Sequence, residues 1–166
     1  MNQITLQQIR YLSPCYDPTK YLPENWKGTV IDILNVDDCP ANDRLWVVLR
    51  EEFIDAKTLR LFAVWCAREA LKLIDNPDQR SIEACNVAER YANGEATKEE
   101  LAAARDAALD AALDAARAAA WDAAWAAAWD AALDAALDAA RAAAWDAARD
   151  AAWDAQINQL KIMLCK

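Results

Sequence analysis

The sequence predicts an all-α fold, a helical bundle in which an N-terminal helical domain packs with Ala-rich tetrad-repeat helices. Three observations carry this reading. From Ala96 to Ala155 there is no Gly, Pro, Ser or Asn, and the tract is dominated by alanine, the best helix former. From Leu101 to Ile157 every fourth residue is large, and nearly everything between is Ala or Asp. Upstream, apolar residues recur at helical spacing between Pro, Asn and Gly punctuation.

Taken in order, residues 3–12 read as a short amphipathic helix. Pro14, Pro18 and Pro23 then make regular structure unexpected in the connector that follows. The segment TVIDILNV (29–36) mixes β-branched residues with Leu and Asp, and its helical neighbours tip it toward helix. After Pro40, ANDRLWVVLREEF places Leu45, Val48, Leu49 and Phe53 at core-facing spacing. Asp55 is a plausible N-cap for the next helix, on which Leu59, Phe62, Cys66, Ala70 and Ile74 share a side, until Asp75-Asn76-Pro77 stops it. Ser81 is read as the cap of IEACNVAERYA, and Asn93-Gly94 as its left-handed stop. Thr97 to Glu100 fits a capping box, from which the alanine tract starts. Composition thus sets two domains, an N-terminal helical domain over 1–95 and an Ala/Trp/Asp-rich helical repeat over 96–166.

A four-residue step overshoots one helical turn by about 40°. The large residues therefore wind around a straight helix about one and a half times from Leu101 to Ile157. A continuous helix from 98 to about 163 would be ~100 Å long with its Trp and Leu uncovered, so two or three segments folded into a bundle are expected. The alternative is one long helix buried by self-association. Residues 106–124 recur identically as 130–148, an internal duplication too short in copy number to define a solenoid.

Composition excludes several functions. The 27 acidic residues outweigh 18 basic ones, giving −9, which argues against nucleic-acid binding. Histidine is absent, removing the commonest general base and zinc ligand and every Ser-His or Cys-His pair. The five cysteines show no close paired spacing and read as thiols in a reducing cytoplasm. The opening MNQITLQQIRYL shows no basic region followed by an apolar run, so no secretory signal is expected. The aspartates of the alanine tract argue against a membrane span. With Gly28 and Gly94 as the only glycines, no phosphate-binding glycine loop exists. No cofactor, metal site or catalytic residue is predicted.

Two polar patterns remain as candidate sites. Asp106, Asp110 and Asp114 are successive i,i+4 neighbours, as are Asp130, Asp134 and Asp138. Each like-charge pair costs about 0.2–0.5 kcal/mol on an exposed helix, in part offset by arginines at i,i+3 such as Arg117 and Arg141. The plainer reading is a solvated edge; the functional one is an acidic ladder for a cationic partner. Trp121, Trp125 and Trp129, with Trp145 further on, read as bundle core, or as an aromatic pocket where Arg117 and Arg141 could meet a phosphate.

Leu61 to Arg68 in part, Val87 to Thr97, and Glu99 to Arg105, followed by Ala-Ala-Trp repeats, carry a resemblance. Over about residues 55–155 the chain resembles the immunity-protein family of bacteria and phages. That resemblance implies a protein that neutralises a toxin or defence effector by binding it, and it supplies no catalytic residues to carry over. The first expectation is thus a non-enzymatic cytoplasmic binding protein with a protein partner. The alternatives are a phage-encoded sponge for a nucleotide-like small molecule and a self-associating helical scaffold. No nucleic-acid or membrane partner is expected.

Overall fold

A capping box starts the first helix. The Thr5 amide donates to Gln8 Oε1 (2.8 Å) and the Gln8 amide to Thr5 Oγ1 (3.2 Å), so α1 (Leu6–Tyr11) begins with its orphan amides satisfied. The structure is a computed structural model that describes residues 3–127 and 134–165, with side chains described for 3–118 and 148–165. Among the described residues it is all-α apart from one minimal antiparallel pairing, β1 (Ile4–Thr5) with β2 (Lys27–Gly28). The chain divides into two units, Met1–Phe62 with Asp150–Lys166, and Ala63–Arg149. These limits follow packing, whereas the expected limit at 95/96 follows composition.

The first unit is built from short, individually capped elements. The connector expected to lack regular structure holds a 3-10 turn, Pro18–Lys20, capped by the Asp17 carboxylate, and strand β2. Proline at the first position of a helical turn is tolerated because its missing amide would be unpaired there anyway. Gly28 is required in β2: a Cβ would sit 2.5 Å from the Trp26 ring. The ambiguous segment is helical, as α2 (Val30–Leu34), because Thr29 and Asp32 form a second capping box. α3 (Ala41–Val48) buries Leu45, Val47 and Val48. It stops short of the expected Phe53: the backbone turns away at Leu49, which is exposed, and Phe53 lies half-buried in the following turn. Ile4, Leu6, Ile9, Leu34 and Val48 are all but inaccessible, and Ile157 and Leu160 complete the core of this unit. Arg44 is the one buried ion among the described residues; its Nη1 donates to the Leu34 carbonyl (2.8 Å), satisfying an orphan acceptor at the end of α2.

α4 (Ala56–Leu71) starts at Asp55, whose carboxylate accepts from the Thr58 amide and hydroxyl. Phe62 is buried, but Ala70 and Ile74, expected on the same side, are exposed, and Ile74 lies beyond the helix end. In the second unit α5 (Gln79–Ala92) begins one turn earlier than expected. Its cap is Asp78, which accepts from the Arg80 amide (2.8 Å), rather than Ser81. It ends as Asn93-Gly94 foretells. Gly94 takes φ +79°, its amide reaches the Tyr91 carbonyl and the Glu95 amide reaches Arg90 (2.8 Å), a complete Schellman stop. The Thr97–Glu100 capping box then starts α6 (Lys98–Ala127), which packs against α5. α7 (Asp134–Leu164) is the last described helix. The expected break in the alanine tract lies outside the described residues.

The candidate functional site on α6

The register of α6 decides what it presents. Leu101, Ala104, Ala108 and Ala111 are partly or fully covered, at i, i+3, i+7 and i+10, a stripe of helical spacing made almost wholly of alanine. Leu101 sits on that stripe, and each four-residue step rotates the next large side chain about 40° off it. Leu109, two steps on, is 58 % exposed, and Leu113 is 44 % exposed. The winding thus carries the leucines out of contact, while the small alanines let the helices approach.

Asp106 and Asp110 emerge on that outer side and are exposed, with no ion-pair partner among the described residues. Asp114 differs. Its carboxylate receives Arg80 Nη2 of α5 at 3.0 Å and lies 3.5 Å from Arg117 Nη1. Arg80 also holds Asp78 (2.8 Å), so one guanidinium ties the cap of α5 to α6. The Arg80 hydrogen bonds hold the Asp78 carboxyl down at about 2, while the two carboxylates raise the Arg80 guanidinium.

The ladder expected from spacing is therefore two kinds of residue. Asp114 serves the α5–α6 contact, and Asp106 and Asp110 border an open face that Leu109 and Leu113 share. Arg117, expected beside a ligand, is mostly exposed and pairs with Asp114. The side chains of Trp121, Trp125, Arg141 and Trp145, and those of Asp134 and Asp138 on α7, lie outside the described residues, as do Trp129 and Asp130 altogether. The leucines were passed over as site residues because period-four spacing reads as core until the covered face is known. No group of three or more His, Cys, Asp or Glu able to hold a metal occurs among the described residues. No described helix is long and apolar enough to cross a membrane.

This face offers two carboxylates and about two leucines' worth of apolar surface. Comparison with known proteins finds no family model, no curated protein and no solved structure that matches this chain.

Proposed function

We propose that the chain is a non-enzymatic binding protein that neutralises or sequesters a protein partner, and that the outer face of α6 is its docking surface. One observation carries this: Leu109 and Leu113 are exposed on the same side of α6 as Asp106 and Asp110, which have no ion-pair partner among the described residues. Apolar side chains flanked by uncompensated charge fit a partner with an apolar strip edged by Lys or Arg. The leucines would supply burial, and the carboxylates would steer and orient the encounter. The partner class that fits is a basic toxin or effector, in keeping with the resemblance to immunity proteins.

The test is co-purification from lysate of the source cells, with the full chain as bait at low and high salt. The comparison bait carries Asp106→Lys and Asp110→Lys, both at exposed positions. A basic protein retained by the parent, released by salt and lost with the double variant supports the reading. An identical set of retained proteins for both baits overturns it. Analytical ultracentrifugation of the parent separates the remaining case: a dimer abolished by Leu109→Ser and Leu113→Ser would assign the face to self-association instead.

A further inference from the structure

Of the eight asparagines in the chain, Asn93 alone is followed by glycine. In such a pair the backbone nitrogen that follows the asparagine carries no neighbouring side chain to hinder its approach to the asparagine Cγ. Asn93 and Gly94 are both exposed, and nothing lies within 4 Å of where a Cβ on Gly94 would stand. The stop of α5 nevertheless holds the reacting atoms apart. The Gly94 amide donates to the Tyr91 carbonyl (3.1 Å), and the Glu95 amide to the Arg90 carbonyl (2.8 Å). Asn93 keeps φ −88° and ψ −1°, which turns its Cβ well away from the Gly94 nitrogen. Closing a five-membered ring needs those two atoms eclipsed about the Cα–C bond. The Schellman stop thus ties up the nucleophile and misaligns the electrophile at once.

We infer that Asn93 is a latent self-modification site, gated by the opening of the α5 stop. When the last turn of α5 opens, the Gly94 nitrogen gives its proton to water and attacks the Asn93 Cγ. The nitrogen–Cγ bond forms, the Cγ–Nδ2 bond breaks, and Nδ2 takes a proton from water and leaves as ammonia. A second water then opens the cyclic imide at either carbonyl. One route gives aspartate on the ordinary backbone. The other gives isoaspartate, whose main chain runs through Cβ and Cγ and is one methylene longer. That longer link displaces the Gly94 and Glu95 amides from the carbonyls of Tyr91 and Arg90, so the end of α5 is left with orphan acceptors. Both products also set a carboxylate at a helix C-terminus, against the macrodipole. The α5–α6 turn therefore keeps a covalent record of its own openings. The inference is independent of what α6 docks.

The test is incubation of the full chain at neutral pH, folded and in urea, with peptide mapping over time. Cleavage after Arg90 and Lys98 isolates residues 91–98, in which Asn93 carries the only side-chain amide. The mass change from amide to acid should accumulate roughly 10-fold or more slowly in the folded chain than in urea, by the cost of opening the stop. Equal rates, or faster conversion in the folded chain, overturn the gate, and no conversion in urea overturns the chemistry. The isoaspartyl form, separated by chromatography, is then compared by hydrogen exchange with the parent and with freshly purified Asn93→Asp. The Gly94 and Glu95 amides should lose protection in the isoaspartyl form and keep most of it in Asn93→Asp, whose backbone is unchanged. Parent-like protection in the isoaspartyl form, or an equal loss in Asn93→Asp, overturns the backbone consequence.

Discussion

The two units are held together differently. Among the described residues, every side chain of the largest fully buried ones lies in the first unit: Ile4, Leu6, Ile9, Leu34, Leu160 and three valines. The described part of the second unit buries only Val64, Cys85, Val87 and Ala111, and it is laced instead by half-exposed ion pairs, Arg68–Glu89 (2.5 Å) and Arg80 to Asp78 and Asp114. Short helices of modest propensity need a dense core to exist. Long alanine-rich helices need less, because propensity and length already favour them. The difference teaches that the described part of α6 can spare Leu109 and Leu113 for its surface.

The contrast can be broken most decisively in the cores. Leu34→Ala should cost about 2–5 kcal/mol in urea denaturation, whereas Leu113→Ala should stay within about 0.5 kcal/mol of the parent. Equal losses would end the comparison. Next in size is Gly94→Ala. Nothing lies within 4 Å of the added Cβ, so the effect reports backbone strain alone, about 1 kcal/mol and confined to the α5–α6 pair. Hydrogen exchange localises it; a loss spread into the first unit would contradict the division.

Smaller still is Arg80→Gln, with a small expected loss at low salt that fades as salt rises, because the partners are roughly half exposed. An unchanged loss in high salt would mean that packing, and not charge, joins α5 to α6. The finest probe is pH. Asp78 is depressed in the folded chain, so its contribution is fully present above the unfolded carboxylate value near ~3.9 and is lost as pH falls through about 2. An NMR titration should find Asp78 at about 2, and Arg80→Gln should return it toward the ordinary value. A midpoint near 4 in the parent would remove the bridge from the account.

Much of the helical punctuation was legible in the sequence because it is written in contiguous residues. Asp55, Asn93-Gly94 and the Thr97–Glu100 box each act within one turn, and each stands where it was read. The start of α5 was misplaced because Asp78 and Ser81 are both competent caps three residues apart, and only the earlier one gains the Arg80 contact. The β1–β2 pairing was illegible: two residues on each strand are too few to show alternation. The outer face of α6 was half legible. The winding predicted that leucines would leave any single contact line, but which line is covered depends on α5.

One consequence concerns the order in which the chain takes shape during synthesis. The Schellman stop and the capping box sit side by side, so the turn between α5 and α6 is specified by neighbours that leave the ribosome together. The core around Leu34 instead waits for Ile157 and Leu160, which follow more than a hundred residues later. A nascent chain halted between the two stages would carry a formed helical hairpin beside an open cluster of isoleucine, leucine and valine. That cluster is the window in which chaperones would engage this protein, and closing it is the task of the C-terminal turns of α7.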